Sequence, residues 1–232
     1  MKRKFKFRFI YIVFIVVAIF LCFVVKNKFT TKQEEPIETV ATVIIDPGHG
    51  GIDGGTVGSD DTLEKDLALT ISKKIGAAIT ELDPSIEVLY TRDDDNVDAE
   101  DEIKNLQDRI DFAKENNGDY FLSIHFNALG DESVYGYVGY AKKNDKANKT
   151  IYKYISSNFD EIDYSTDLNL RPVEENPLQV ITDNPVPGLL LEVGFMTNEE
   201  ELKTCTDEST QDEIALAIAK AYVKYIQENP SK

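Results

Sequence analysis

Thr42-Val43-Ile44-Ile45-Asp46-Pro47-Gly48-His49-Gly50-Gly51 is the stretch on which the fold turns. Its first five residues are mostly β-branched and end against proline and glycine, which reads as a strand over Thr42–Asp46. The glycines that follow let the backbone turn sharply and approach a ligand closely. Apolar residues then recur at Leu63, Leu67, Ile71, Ile75 and Ile79, a helical spacing. Working outward, the pattern repeats. Strands are read at Ile86–Tyr90, Tyr120–Ile124, Leu178–Ile181 and Gly188–Val193, and Val134–Ala141 reads as extended. Helices are read over 102–115 (Ile103, Leu106, Ile110, Ala113), over 147–159 (Ile151, Tyr154, Ile155) and over 211–227 (Ile214, Ala217, Ile218, Ala221, Tyr225). Strands alternating with helices predict an α/β fold: a single, mostly parallel sheet flanked by helices on both faces. Ligands of such sheets gather at the carboxyl ends of the strands.

The chain of 232 residues divides by charge. Residues 1–32 hold eight lysines and arginines and no acid, leaving 17 basic against 42 acidic residues, about −25, on the remainder. A domain this acidic repels phosphate backbones, so nucleic-acid binding is excluded. Cys22 lies in the N-terminal apolar run and Cys205 stands alone, so neither an internal disulfide nor a cysteine-rich zinc site is expected.

Phe9 to Val25 contains no charge. As a helix it spans roughly 25 Å, near the lower limit for crossing a bilayer. Five positive charges precede it and three follow, which orients the N-terminus inside and the domain outside. No small-x-small cleavage pattern follows the run, although secretion after signal cleavage is the competing reading. The expected organisation is a basic cytoplasmic tail (1–8), a transmembrane anchor or signal (9–25), a linker (26–40) and one folded domain (41–228). The anchor makes this a single-pass protein of the cell membrane with its domain on the outer side.

The chain has only two histidines. His49 directly follows the first predicted strand and His125 the third, so neighbouring parallel strands would bring both imidazoles to one sheet edge. Imidazole suits zinc, and a catalytic zinc takes three protein ligands and keeps one position open. The third ligand would be a carboxylate. Glu64 opens the helix after the glycine turn; it either folds back toward His49 or is an acid favoured by the helix dipole. Glu192 interrupts the apolar run Gly188-Leu-Leu-Leu191 and Val193-Gly-Phe195, where a carboxylate is costly without a partner. It is a candidate general base, or half of a structural ion pair. Asn127, two residues beyond His125, either faces the cleft as a substrate contact or closes the strand as a turn residue. The glycine turn lacks the lysine and spacing of a phosphate loop.

Four segments together carry a family resemblance: Ile44-Ile45-Asp46-Pro47-Gly48-His49-Gly50-Gly51, Glu64-Lys65, Ser123-Ile124-His125-Phe126-Asn127-Ala128 and Leu191-Glu192-Val193-Gly194-Phe195-Met196-Thr197-Asn198. In this order they resemble the zinc-dependent N-acetylmuramoyl-L-alanine amidases, over about residues 42–228. Thr91-Arg92 and Arg109 belong to the same resemblance. It implies an α/β fold, one Zn2+ held by His49, Glu64 and His125, and Glu192 as the catalytic acid. The implied substrate is peptidoglycan, cut between N-acetylmuramic acid and L-alanine. The absence of wall-binding repeats is similar to the members that trim spore cortex. Ala113-Lys114 departs from the Ala-Asn common there, and Lys142 to Asn176 matches nothing specific. A regulatory protein partner is expected, because a hydrolase facing its own wall needs restraint. The competing readings are another zinc peptidase of this fold and a membrane-anchored peptidoglycan-binding module. Arg92 and Arg109 are expected to pair with acids, and Asp46 is a candidate to orient the histidines.

Overall fold

Alternation along the first strand explains the layering. Val43 and Ile45 point to one side of the sheet and Ile44 to the other, and all three are fully buried. A half-exposed sheet would leave one of these faces polar, so both must be covered. The computed structural model describes residues 16–20, 37–95 and 102–230. Strand β1 (Ala41–Pro47) leads through the glycine turn to helix α1 (Glu64–Leu82), then β2 (Ile86–Tyr90) and α2 (Glu102–Glu115). Next come β3 (Tyr120–Asn127), β4 (Tyr137–Ala141), α3 (Lys146–Glu161), β5 (Asp167–Pro172) and α4 (Gln179–Thr182). The chain closes with β6 (Gly188–Phe195), α5 (Glu199–Thr206) and α6 (Glu208–Glu228).

The six strands form one mixed sheet in the order β2-β1-β3-β6-β4-β5. β2, β1, β3 and β6 run parallel to one another; β4 pairs antiparallel with β6, and β5 runs parallel with β4. The larger core joins α1, α3 and α6 to Val43, Ile45, Leu122, Ile124, Leu191 and Val193. The smaller core joins Ala113 of α2 and Val180 and Ile181 of α4 to Ile44, Phe121, Val138 and Leu190. Helices therefore cover both faces, and residues 38–232 share one set of contacts.

Two elements were missed and one was misread. Leu178–Ile181, read as a strand, is helical as α4. Ile181 and Thr182 both return their N–H groups to the Leu178 carbonyl, and Val180 and Ile181 are buried in succession, which a strand's alternation would not allow on one face. Strand β5 is a short edge strand in which only Leu168 and Leu170 are apolar, one packed against each core across a shift in register with β4. Helix α5 is a short helix capped by Asn198, whose side chain accepts from Glu201 N. The stretch Lys142–Asn176 supplies α3 and β5, with Ile151, Ile155 and Phe159 buried in the larger core.

The apolar run 9–25 lies outside the described residues except for 16–20, which are helical. Among the described residues no helix is long and apolar enough to cross a membrane. The side chain of Ile103 also lies outside the description.

Candidate metal and active site

The stripe that builds the smaller core turns polar as it nears the carboxyl edge of the sheet. On β1, Ile44 is followed two residues on by Asp46; on β3, Phe121 gives way to Ser123 and His125; on β6, Leu190 gives way to Glu192. Register brings these groups side by side. Asp46 is opposite Ser123, and His125 is opposite Glu192. Neighbouring strands lie about 4.8 Å apart, so such a row is already within side-chain reach of itself.

His49 joins the row from the turn after β1. Its backbone is left-handed (φ 59°), a costly conformation for a residue with a Cβ. Two arginines hold it there. Arg109 of α2 donates from Nη2 to the His49 carbonyl at 2.5 Å and from Nη1 to the Pro47 carbonyl at 2.8 Å. Arg92 donates to the carbonyls of Pro47 at 3.1 Å, Gly48 at 2.7 Å and Lys65 at 2.8 Å. Three consecutive carbonyls that no strand satisfies are thus met by two buried guanidinium groups. Arg109 also pairs with Asp46 at 2.7 Å, as expected for an acid partner. Arg92, in contrast, spends its donors on backbone.

Glu64 is the first residue of α1, and the turn folds it back onto the histidines. Its Oε1 lies 3.0 Å from His49 Nε2 and 3.1 Å from His125 Nδ1. The carboxylate is fixed by two backbone N–H groups, Phe126 to Oε1 at 3.0 Å and Thr56 to Oε2 at 2.9 Å. Close packing requires glycine at two positions. A Cβ on Gly48 would lie 2.5 Å from His125 Cε1, and one on Gly55 (φ +65°) 2.7 Å from Glu64 Oε2. The ligand atoms of His49, Glu64 and His125 lie within 4.8 Å of one another. Two imidazoles and one carboxylate are the donor set of a three-ligand catalytic zinc site, so the residues present fit that ion.

Asp46, one candidate to orient the histidines, makes its hydrogen bonds elsewhere. Its carboxylate takes Arg109, Thr91 Oγ1 at 2.6 Å and Ser123 Oγ at 2.7 Å. Burial works against its charge, and Arg109 with these hydroxyls holds its pKa below the usual range. The group on His49 is Asp53, whose Oδ2 sits 2.8 Å from Nδ1. A signal for it was present: an acid four residues on, across a glycine-rich turn tight enough to bring the two together. Burial would lower the His49 pKa, but the hydrogen bond and charge of Glu64, with those of Asp53, hold it up at about 9. Glu64 itself is held far below the usual carboxylate range. Its burial opposes this, and its hydrogen bonds to His125 and His49 outweigh that burial.

Glu192 is half-buried, and its Oε2 is buried without a hydrogen-bond partner among the described residues. Among the described residues no ion pair accounts for it. Burial raises its pKa to about 7, opposed by His125 and His49 and assisted by Glu64. Asn127 ends β3 at a shift in register with β6, and its Oδ1 accepts from Ala128 N at 2.9 Å. That contact is the turn-closing one.

Residues 43–224 match the N-acetylmuramoyl-L-alanine amidase family, Amidase_3. The chain belongs to the N-acetylmuramoyl-L-alanine amidase family. It is an amidase. A germination-specific N-acetylmuramoyl-L-alanine amidase of Bacillus subtilis is 27% identical over 241 residues, covering 98% of each chain. Among solved structures, the CwlD amidase from Clostridioides difficile in complex with the GerS lipoprotein is 32% identical. It superposes with a TM-score of 0.73 over 82% of this chain and 100% of that one. The catalytic domain of CwlV, an amidase from Bacillus (Paenibacillus) polymyxa, gives 0.71 at 30% identity, over 81% of this chain and 98% of its own.

Proposed function

We propose that this amidase hydrolyses the bond between the lactyl group of N-acetylmuramic acid and the L-alanine of the peptidoglycan stem, using one zinc ion. His49, Glu64 and His125 would hold the ion. When bound, it would supply Lewis acidity to the substrate carbonyl and to the attacking water. Glu192 takes the proton from that water and passes it to the departing amine of alanine. One carboxyl serves both steps because they are sequential. The observation that carries this reading is the buried, partnerless Oε2 of Glu192 on the strand position opposite His125. A carboxylate is costly there unless it has work to do. Asp53 orients His49 through Nδ1 and keeps it a good ligand. Asn127 is proposed as a substrate contact through its amide nitrogen, since its oxygen is engaged with Ala128.

The domain is proposed to act outside the cytoplasmic membrane, tethered through residues 9–25. The full-length likeness to a germination-specific amidase supports a role in spore-cortex peptidoglycan. The GerS lipoprotein bound to the Clostridioides difficile enzyme supports a protein partner. The test is product analysis. Zinc-loaded, detergent-solubilised full-length protein is incubated with peptidoglycan fragments and the products are read by mass spectrometry. Intact stem peptides with a free N-terminal alanine, abolished by a chelator, are expected. Cuts within the stem peptide would replace the amidase specificity with that of a peptidase.

A further inference from the structure

Ile52 is 85% exposed, the most exposed large apolar side chain among the described residues. Single exposed apolar residues are ordinary on protein surfaces; what distinguishes this one is how and where it is held. Gly50 and Asp53 exchange both backbone hydrogen bonds, at 2.9 and 3.2 Å, so Gly51 and Ile52 form the tip of a two-residue turn. That tip is pinned from outside. Gly51 N donates to Asp95 Oδ1 at 2.8 Å, and the Gly51 carbonyl accepts from Lys65 Nζ at 2.8 Å. Lys65 closes the ring by bonding Asp95 Oδ2 at 2.7 Å. The far side of the turn is Asp53, tied to the metal-ligand candidate His49 and to Gly55 N. The side chain is therefore displayed on a fixed support beside the reaction centre.

Its surroundings select the half of the substrate it meets. Asp53 is exposed in this turn and Asp95 is exposed against Gly51, and Asp93 and Asp94, which precede Asp95 in the chain, are exposed as well. A stem peptide carries free carboxylates, which such a rim repels at short range. The N-acetylmuramoyl residue is neutral once its lactyl carboxyl is tied up as the amide, and its ring offers C–H faces to an apolar partner.

We propose that Ile52 is a specificity-determining contact that packs against the N-acetylmuramoyl side of the scissile amide. This rests on the amidase reading above. Because Ile52 touches little else, its replacement leaves the fold and the metal ligands intact, and the effect falls on substrate binding.

The test compares wild-type and Ile52→Ala full-length, zinc-loaded protein on two substrates: a muropeptide, and a lactoyl-peptide with the same stem but no sugar. On the muropeptide the variant's KM is expected to rise about tenfold with kcat little changed, the scale set by a few lost methylene contacts. On the lactoyl-peptide the two proteins are expected to agree. Melting temperature and bound zinc should be the same in both, and Ile52→Leu should restore most of the KM. A muropeptide KM within twofold of wild type overturns the proposal, as does an equal rise on both substrates. Wild-type protein that cleaves neither substrate overturns the amidase reading itself, and this proposal with it.

Discussion

Gly48→Ala separates the geometry of the metal site from the stability of the fold. A Cβ at Gly48 would stand 2.5 Å from His125 Cε1 and 2.6 Å from both ring nitrogens. An ordinary carbon contact is about 3.5 Å, so the imidazole must retreat by roughly 1 Å. Metal–ligand distances tolerate only about 0.2 Å. The ring can swing toward the cleft, because His125 is partly exposed there, but it then leaves its place beside Glu64 and His49. Misaligning one ligand is expected to weaken zinc binding at least a hundredfold, about 2.8 kcal/mol. The fold should change far less: Gly48 has no positive φ that would strain an alanine, and its N–H still reaches the Ile124 carbonyl. Gly54→Ala is the control, since its nearest neighbour is Leu63 Cδ2 at 3.7 Å, an ordinary contact. Competition titration against a chromogenic chelator gives the affinities, and thermal melts of metal-free protein give the stabilities. If Gly48→Ala binds zinc within threefold of wild type, the close fit between this glycine and the ligand ring has no functional weight.

Zinc uptake should release a proton. His49 is protonated below about pH 9 without metal and must be neutral to ligate, so affinity should rise about tenfold per pH unit from 6.5 toward 9; calorimetry in buffers of differing ionisation heat would show no release if the reasoning fails. Asp53→Ala removes the partner of His49 Nδ1 and is expected to cost 10- to 100-fold in zinc affinity, on the order of other orienting carboxylates. Arg109→Met leaves Asp46 buried without its cation and should destabilise by about 3–5 kcal/mol in denaturant melts. Adding Asp46→Asn to that variant should recover part of the loss, because the uncompensated charge goes. Glu192→Gln should keep zinc and lower kcat by about 10²- to 10⁴-fold; equal turnover in the two proteins would remove Glu192 from the chemistry.

Much of this was legible because the informative residues sit where strands end. β1, β2, β3 and β6 each have an apolar run closed by a turn or a polar group, and the helices between them keep the 3.6-residue period. The placement of His49, His125 and Glu192 at one edge of the sheet was readable from position alone. That of Glu64 was not: its convergence on the histidines depends on a fourteen-residue loop from Gly50 to Leu63, whose path is fixed by the N–H of Thr56 and by glycines at close contacts. The role of Asp46 was misjudged for a related reason. Adjacency to the His49 turn placed it near the ligands, whereas strand alternation points it at Ser123 and α2. Asp53, four residues beyond His49 across a reversing turn, reaches the ring instead. The reversal of β4 and β5 was not readable, because both are short and alternation along a strand does not encode its direction.

The direction of the four parallel strands has a consequence for the chemistry. β1, β3 and β6 are neighbours that all point to the same edge. His49 from the turn after β1, His125 on β3 and Glu192 on β6 therefore converge at one edge of the sheet. Had β6 run against β3, the position opposite His125 would lie near the start of the strand, and the apolar segment Gly188–Leu191 could not anchor the carboxylate from below. The antiparallel β4 then pairs Val138 with Glu192 on the other side. Its apolar neighbour helps exclude water from the Glu192 carboxyl, and burial is the largest cause of its raised pKa. The mixed sheet thus places His125 on one side of Glu192 and a desolvating strand on the other. For the general-base role proposed for Glu192, burial by that strand raises the carboxyl pKa toward neutrality while the histidines oppose it.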